Sequence, residues 1–330
     1  MSVAVSDQMS PGLPSDGRPK VFISTSSFGK VDKAPLSRLR EQGFAVQLNP
    51  RGRTLSAPEI AAFLADVDGL IAGTEPLTRS VLSQAKRLRV ISRCGTGLDN
   101  VDLDAAAELG ITVVATTQAH VPAVAELTLA GMLALLRQIP QSDRAVRRGE
   151  WQKPMGELLQ GRTVGIVGLG KVGKAVVRLL QPFGARVLAY DPYPDTAFAR
   201  EHGVRYTTLV DLVREAEIVS LHLPYQPHLR HLLDRELLAC MKPGAYLINT
   251  ARGGLVDEEA LYEFLASGRL AGAFLDTFET EPYRGPLTEA PNVILSPHVG
   301  AYAREARLAM ENEAVENLLR HLQAPVSQVR

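Results

Sequence analysis

Cysteine is scarce in this sequence, which holds two among 330 residues, Cys94 and Cys240. Two isolated thiols provide neither a disulfide framework nor a CxxC metal clip, so we predict no metal site and a reducing, cytoplasmic setting. Long hydrophobic runs are also missing, because no stretch approaches the roughly eighteen apolar residues of a membrane span. The N-terminal stretch lacks the basic and apolar regions of a signal peptide, and we expect residues 1–18 to form a flexible tail.

An excess of charge of either sign is absent as well. Lys and Arg together number 36, and so do Asp and Glu, so no overall field attracts nucleic acid or an acidic membrane, and we predict neither as a partner. The chain is longer than one ordinary domain and 45% of its residues are hydrophobic, which predicts a globular protein of two domains.

Short apolar, β-branched runs alternate with helical patterns along the chain. A first series of strands is predicted at 21–24, 44–48, 69–72, 89–92 and 111–114, and a second at 163–168, 186–190, 218–223, 245–250, 271–276 and 293–296. Near-continuous apolar strands that are separated by helices predict parallel sheets covered on both faces. The expected fold is therefore α/β, with two Rossmann-like or flavodoxin-like domains.

Two longer helical patterns accompany these series. Residues 122–139 have an apolar surface too broad for a lone exposed helix, and we expect the other domain or a second subunit to bury it. Residues 305–322 are amphipathic and follow the second series, so this helix could cross back to the first domain.

The clearest motif is GxGxxG, formed by Gly168, Gly170 and Gly173 after a predicted strand and at the start of a predicted helix. The first glycine permits a tight turn, the second lets a pyrophosphate approach the backbone, and the third allows the helix to pack on the strand. The amides of Lys171 and Val172 at the helix N-terminus would face the anion. A glycine turn without a ligand is the alternative, which the surrounding strand and helix disfavour.

Asp191 ends the next predicted strand of the second series. A carboxylate at this place accepts hydrogen bonds from the ribose hydroxyls of a dinucleotide. Because it would also repel a 2′-phosphate, the motif predicts NAD rather than NADP as the cofactor.

A second glycine cluster, RCGTGLDNVD at 93–102, follows a strand of the first series. The amides around Gly95, Thr96 and Gly97 could bind an anionic group at the carboxyl end of that strand. A plain strand-to-helix turn explains the same residues equally well.

Three side chains at the ends of later strands suggest chemistry. Arg252 follows the predicted strand 245–250, and its guanidinium can hold a carboxylate by two parallel hydrogen bonds. Glu281 precedes a proline, and His298 ends the last strand, where an imidazole is suited to protonate a carbonyl that receives hydride. A surface ion pair, a helix cap and a turn residue would explain each of them singly. Together, at the sheet edge that carries GxGxxG, they predict one active site for a 2-oxo acid.

From about residue 20 to 322 the chain resembles the D-isomer-specific 2-hydroxyacid dehydrogenases, and among them the catalytic body of the D-3-phosphoglycerate dehydrogenases. The stretches that carry the resemblance are RCGTGLDNVDLDAA, VAELTLAGMLALLRQIPQ, GRTVGIVGLGKVG, NTARGGLVDEEAL, and FETEPY with SPHVGA, all in the family's order. The resemblance implies two α/β domains with a cleft between them and a dimer built through the long helix. The implied boundaries are a substrate-binding domain of 19–118 plus 302–323 and an inserted NAD-binding domain of 119–301.

The resemblance also implies roles for individual residues. Arg252 would bind the substrate carboxylate and carbonyl, His298 would be the general acid and base, and Glu281 would be its partner. NAD would contact the glycine loop and a further set: Thr96, Lys171, Val172, Asp191, Thr250, Ala251, Asp276 and Gly300. The substrate would also contact Arg93, Gly95, Thr96, Gly97 and Arg137, the last from across the dimer. The predicted reaction is reversible hydride transfer between NAD and C2 of a D-2-hydroxy acid.

Departures from the family pattern bear on the substrate. Gly73 stands where some phosphoglycerate dehydrogenases have an arginine thought to meet the phosphate, which weakens that assignment. Arg93 and Arg137 match two other basic positions of the same pocket, so we still expect a second anionic group on the substrate. We expect no regulatory domain after residue 322 and no control by serine. The family's asparagine-containing approach to the long helix is replaced, and for His120 in that stretch we expect packing only.

Three other functions fit parts of the sequence. A glyoxylate or hydroxypyruvate reductase would differ only in its substrate. An NAD-sensing protein that binds partners, like the corepressors that resemble this family, would keep the fold without turnover, and the Arg252, Glu281 and His298 set argues for turnover. Formate dehydrogenase resembles the fold but pairs its histidine with glutamine, and Glu281 argues against it.

Overall fold

The computed structural model describes residues 17–323, so the tail predicted at 1–18 lies almost entirely outside the described residues. The chain divides into two compact units. The first runs to His120 and resumes at Arg304, and the second spans Val121–Ala303. Each unit is built on one parallel sheet with helices packed against it, as the alternation of patterns predicts.

The first unit contains a five-stranded sheet. Its strands are β1 (Lys20–Ile23), β2 (Ala45–Leu48), β3 (Gly69–Ala72), β4 (Val90–Arg93) and β5 (Thr112–Ala115), and its helices in this part of the chain are α1 (Ala34–Glu41), α2 (Ala57–Leu64), α3 (Arg79–Leu82) and α4 (Leu103–Glu108). The strands lie in the order β2-β1-β3-β4-β5, and all neighbours are parallel. The three inner strands are buried throughout, which accounts for their continuous apolar runs.

The second unit contains a seven-stranded sheet. Its elements are α5 (Val121–Leu136), α6 (Ile139–Arg147), β6 (Thr163–Val167), α7 (Lys171–Leu180), β7 (Arg186–Tyr190), α8 (Thr196–His202), β8 (Arg205–Tyr206), α9 (Leu209–Glu215), β9 (Ile218–Leu221), α10 (Arg235–Cys240), β10 (Tyr246–Asn249), α11 (Glu258–Ala266), β11 (Gly272–Leu275) and β12 (Val293–Leu295). The strands lie in the order β12-β11-β10-β9-β6-β7-β8 and are parallel. Successive residues face opposite apolar layers: Leu247 and Ala273 contribute to one, Ile248 and Phe274 to the other.

Each sheet reverses its strand order once, between β1 and β3 in the first unit and between β6 and β9 in the second. At such a reversal the connecting helices leave on opposite faces, and a crevice opens outside the carboxyl ends of the two strands. Ligands of open α/β sheets bind in this crevice. The fold therefore offers one candidate ligand position in each unit.

The final helix, α12 (Arg304–Gln323), packs in the first unit. Ser92 on β4 donates its hydroxyl to the carbonyl of Ala314 at 2.7 Å. A Cβ on Gly69 of β3 would lie 2.9 Å from Leu322 and 3.0 Å from Leu318, so the glycine lets the helix lie directly on the sheet. This helix thus covers one face of the first sheet.

The helix predicted over 122–139 is confirmed as α5, except that α5 ends at Leu136, three residues earlier than predicted, and a separate helix, α6, begins at Ile139. Gln138 takes a positive φ of 50° between them, and Pro140 stands in the first turn of α6, where a missing N–H costs nothing. The apolar surface of α5 is buried in its own unit. A Cβ on Gly131 would lie 2.0 Å from the ring of Phe274, so the glycine lets this ring pack against the helix. Of the described helices, none is alone long and apolar enough to cross a membrane; α5 and α6 pass only as a pair bent by 61°.

Candidate active site

The glycine loop between β6 and α7 has three glycines with three different surroundings. Gly168 has a φ of +97°, and a Cβ there would lie 2.8 Å from the backbone of His222. A Cβ on Gly173 would lie 2.2 Å from the Gly168 carbonyl oxygen, so the helix packs on the strand only without it. Gly170 has nothing within 4 Å of its Cβ position. The backbone is therefore open to a ligand at the middle glycine alone.

Asp191 lies beside this loop. Its Oδ2 accepts a hydrogen bond from the amide of Leu169 at 2.7 Å, and its Oδ1 accepts one from Tyr193 at 2.8 Å. Lys171 and Val172 form the first turn of α7, directly after the loop. An open backbone, the amides of a helix N-terminus and a carboxylate fit the pyrophosphate and the adenosine ribose of NAD.

The turn after β10 is held by a residue that the sequence patterns did not select. Asn249 is buried; its Oδ1 accepts from the amide of Ala251 at 3.1 Å, and its Nδ2 donates to the carbonyl of Arg252 at 2.9 Å. The hydroxyls of Thr250 and Thr128 lie 2.8 Å apart. Asparagine commonly bonds the backbone that follows it, so its place at the end of a predicted strand is the feature of the sequence that could have identified Asn249.

The glycines after Arg252 make room for two neighbours. A Cβ on Gly253 would lie 1.8 Å from the carbonyl carbon of Phe278 and 2.2 Å from the amide nitrogen of Glu279. A Cβ on Gly254 would lie 2.7 Å from the ring of Tyr225. The segment 278–281 can therefore lie against this backbone only because no side chain intervenes.

Glu281, at the end of that segment, is in direct contact with His298. The Nδ1 atom of His298 lies 3.1 Å and 3.0 Å from the two carboxylate oxygens. Burial raises the pKa of Glu281, but the hydrogen bond with His298 and the charges of His298 and Arg252 outweigh it and hold the pKa below its ordinary value. An ionised carboxylate only accepts, so Nδ1 carries the shared proton and Nε2 is available for proton exchange.

Asp276 holds the turn that carries His298. The buried carboxylate accepts from the Ser296 hydroxyl at 2.5 Å and from the amides of Val299 and Gly300 at 2.8 and 2.7 Å. His298 has a φ of +54°, a left-handed conformation that few residues other than glycine adopt. These bonds support that conformation. The predicted contact between Asp276 and NAD stays a prediction.

The predicted residues of the first unit lie at the end of β4 and directly after it. Arg93 is buried and donates Nη1 to the carbonyl of Cys94 at 2.9 Å. A Cβ on Gly95 would lie 2.5 Å from the same nitrogen, so the glycine accommodates the folded-back arginine. The hydroxyl of Thr96 lies 2.9 Å from Nδ1 of His120. Beyond the packing expected of it, His120 therefore has a hydrogen-bond partner in the predicted ligand loop.

The surroundings of Gly73 are acidic and hydroxylic. Its amide donates to the Ser24 hydroxyl at 3.0 Å and to Oε1 of Glu75 at 3.1 Å. Burial raises the pKa of Glu75 against the opposing hydrogen bond from Ser24. The hydroxyl of Thr25 is buried without a hydrogen-bond partner among the described residues, 3.6 Å from the Cβ position of Gly73. Carboxyl and hydroxyl groups thus surround Gly73, at the position where an arginine is found in some phosphoglycerate dehydrogenases.

Arg137 lies at the opposite end of the second unit from the histidine turn. The first turn of α5 lies beside Gly300, because the Cβ position of that glycine is 3.4 Å from Val124. A helix rises about 1.5 Å per residue, so Arg137 lies roughly 20 Å from Val124 along the helix axis. There it lines a pocket with residues 181–184, which precede β7 at the amino edge of the sheet. The second unit alone does not bring Arg137 to Arg252.

Residues 129–300 match the family model described as D-isomer specific 2-hydroxyacid dehydrogenase, NAD binding domain. The chain is 40% identical to D-3-phosphoglycerate dehydrogenase of Methanocaldococcus jannaschii, over 83% of this chain and 53% of that protein. It is 38% identical to hydroxypyruvate reductase of Thermotoga maritima, over 84% of this chain and 92% of that protein. The solved structure of the TT0316 protein from Thermus thermophilus matches with a TM-score of 0.82 and 38% identity, over 92% of this chain and 97% of that one. The chain thus spans about half the length of the phosphoglycerate dehydrogenase.

Proposed function

This chain belongs to the D-isomer specific 2-hydroxyacid dehydrogenase family, and we propose that it catalyses reversible hydride transfer between NAD and C2 of a D-2-hydroxy acid. The observation that carries the proposal is the contact of His298 Nδ1 with the Glu281 carboxylate at 3.0 and 3.1 Å. A protein that only senses NAD needs the glycine loop but has no need of an imidazole whose proton is fixed by a carboxylate. The pair therefore favours an enzyme over a binding protein.

The contact between His298 and Glu281 supports the roles that we propose for these two side chains. NAD, when bound, supplies the hydride acceptor for oxidation and the hydride donor for reduction. Neutral His298 takes the hydroxyl proton at Nε2 during oxidation, and Glu281 stabilises the imidazolium through Nδ1–H. In reduction the imidazolium returns that proton to the carbonyl oxygen. Arg252 holds the substrate carboxylate with its guanidinium fork and so orients C2.

For the substrate, we propose a second anionic group, as in 3-phosphoglycerate, which Arg93 and Arg137 would recognise. Arg137 would act from a second subunit, since its own unit holds it away from Arg252. A second candidate is a reductase of hydroxypyruvate or glyoxylate. It is favoured by the Glu75 carboxylate, which lies 2.8 Å from the Cβ position of Gly73, because a carboxyl group there offers a phosphate no cation.

We also propose a homodimer through α6 and the segment that follows it. This part of the chain exposes large apolar side chains, among which Trp151 is 81% and Met155 88% exposed. Exposed apolar clusters of this kind mark protein interfaces. A cytoplasmic location stays a prediction, supported by the two free cysteines.

The test is a panel of 2-oxo acids assayed with NADH: phosphohydroxypyruvate, hydroxypyruvate, glyoxylate and pyruvate. We expect turnover, with the highest kcat/KM for the acid that bears a second anion, and we expect Arg137→Ala to remove much of that advantage. A preference for glyoxylate with Arg137→Ala silent would favour the reductase and leave Arg137 to the dimer interface. NADH binding without turnover of any acid would favour the NAD-sensing protein.

A further inference from the structure

A second group of charged side chains adjoins the Glu281–His298 pair. Glu279 Oε1 accepts a hydrogen bond from Nε of Arg230 at 2.8 Å and is ion-paired with the same guanidinium, whose Nη2 lies 2.7 Å away. The other carboxylate oxygen of Glu279, Oε2, lies 3.3 Å from Nε2 of His231. The amide of Glu279 donates to the Glu258 carboxylate at 2.7 Å. Both the side chain and the backbone of Glu279 are thus held by other parts of the chain.

The groups that hold Glu279 come from distant points of the sequence. Arg230 and His231 lie between β9 and α10, and the amide of His231 donates to the carbonyl of Gly254 at 2.8 Å. Glu258 is the first residue of α11. The backbone of Gly253 lies against the amide of Glu279. Three segments therefore converge on one residue, two positions before Glu281.

We propose that Glu279, held by Arg230, is a positioning residue that sets the place of the Glu281 carboxylate against His298. The amide of Phe278 donates to Oε1 of Glu281 at 3.2 Å, so a shift of this short segment moves the carboxylate together with its backbone donor. Small displacements of a group that orients a proton carrier lower the rate of the chemical step. The catalytic meaning of this inference rests on the proposed function.

An exposed ion pair alone would not be enough to fix the position of the Glu281 carboxylate. The side chains of Arg230 and Glu279 are 56% and 35% exposed, and pairs so exposed have little effect on stability. The difference here is that Glu279 is also fixed through its amide and by the contact with Gly253. We therefore expect loss of the pair to change kcat more than the melting temperature.

The chain offers a matched control in Arg235 and Glu263. Their guanidinium and carboxylate are joined at 2.6 and 2.7 Å, with side chains 54% and 52% exposed. These two hydrogen bonds link α10 to α11 and do not involve the segment 278–281. Glu263→Gln thus removes another exposed arginine–glutamate ion pair from the same unit without touching Glu279.

The experiment compares Glu279→Gln with Glu263→Gln in the full chain. We expect Glu279→Gln to lower kcat roughly three- to tenfold with KM for NADH unchanged, and Glu263→Gln to stay within about twofold of wild type. Arg230→Met should reproduce Glu279→Gln, and Arg230→Lys should restore most of kcat because the charge remains. A fall in melting temperature at unchanged kcat would make the pair structural and overturn the proposal.

A second readout needs no turnover. In protein labelled with ¹⁵N-histidine, the downfield proton resonance of His298 Nδ1–H reports its hydrogen bond to Glu281, and His298→Gln assigns it. We expect that resonance to broaden or move upfield in Glu279→Gln and to be unchanged in Glu263→Gln. An unchanged resonance in Glu279→Gln would overturn the positioning role. If the wild type turned over no 2-oxo acid, the proposed function would fail and this comparison would still decide the inference.

Discussion

Two histidine–glutamate pairs meet on the segment 278–281, and their histidines share an unusual backbone. His298 has a φ of 54° and His231 a φ of 53°. Glu281 approaches its histidine with both oxygens, at 3.0 and 3.1 Å. Glu279 approaches its own with one oxygen, at 3.3 Å. The same residue types, two positions apart, are therefore used in different geometries.

The other partners of the two carboxylates explain why Glu279 and Glu281 approach their histidines differently. One oxygen of Glu279 already accepts a hydrogen bond from the Arg230 guanidinium and is ion-paired with it, so this carboxylate gains little when a neighbouring imidazole becomes charged. Glu281 accepts from the imidazole and from a backbone amide, and a new positive charge on His298 strengthens that contact. A carboxylate paired with arginine suits a fixed position, and one paired with imidazole suits proton transfer.

The largest expected difference between the pairs is kinetic. His298→Gln should lower kcat by roughly 10²- to 10⁴-fold, the usual contribution of a general acid or base, while His231→Gln should lower it no more than a fewfold. Steady-state kinetics gives kcat, and fluorescence titration gives NADH affinity, which should stay near wild type in both. Equal losses in the two variants would erase the distinction, and weaker NADH binding in His298→Gln would make that histidine structural.

Both pairs lie on the segment 278–281, whose backbone contacts Gly253, and a single methyl group on this glycine would disturb that contact. Gly253→Ala places a Cβ 1.8 Å from backbone of the segment, whereas Gly254→Ala meets the ring of Tyr225 at 2.7 Å, and a side chain can move. We expect Gly253→Ala to cost about 1–3 kcal/mol of stability and Gly254→Ala less, as overpacking against backbone and side chain respectively. Urea unfolding measures both. Equal and small costs would show that the segment is not confined by Gly253.

An arginine lies near each pair, Arg252 near Glu281 and Arg230 beside Glu279, and substitution of each by lysine should have a different effect on kcat/KM. Arg252→Lys should lower kcat/KM by roughly tenfold or more, about 1.4 kcal/mol of transition-state contact, because a lysine keeps the charge and loses the fork. Arg230→Lys should stay near wild type, since it need only hold Glu279. Wild-type kcat/KM in Arg252→Lys would contradict its role in binding the carboxylate.

Local patterns were enough to predict the fold class. Apolar runs of β-branched residues predicted parallel sheets, and the structure confirms both of them. Pattern failed where an element is too short to have a period: β8 has two residues and was not among the predicted strands. It also overran the end of α5, because the apolar pattern continues to Ile139 whereas the helix ends at Leu136.

Within the site, the sequence could select residues whose chemistry is visible in their type and place. Arg252, Glu281 and His298 follow strands, and the three glycines of the loop follow β6. Glu279 could not be selected, because an exposed glutamate is a common residue, and Asn249 had only the weak signal of an asparagine at a strand end. Their significance depends on which distant segments meet them, and contacts such as Arg230 with Glu279 are set by tertiary packing.

The smallest expected difference between the pairs concerns stability in acid. Burial raises the pKa of both Glu281 and Glu279, but their bonds to His298, and to His231 and Arg230, hold each pKa below the ordinary value of 4.5. The unfolded chain then takes up protons first, so each carboxylate stabilises the fold fully above about pH 4.5 and loses this effect as the pH falls through its folded pKa. With side chains 39% and 35% exposed, each contribution should be at most about 1 kcal/mol.

Glu281→Gln and Glu279→Gln should therefore be slightly less stable than wild type at neutral pH, and both deficits should shrink as the pH falls below about 4.5. Denaturant unfolding of the three proteins at neutral pH and in acid measures the deficits. If the deficit of Glu281→Gln grew in acid, Glu281 would be protonated in the folded chain and could not stabilise an imidazolium. If the two deficits shrank together, the pairs would be alike in electrostatics, and their different effects on kcat would come from geometry.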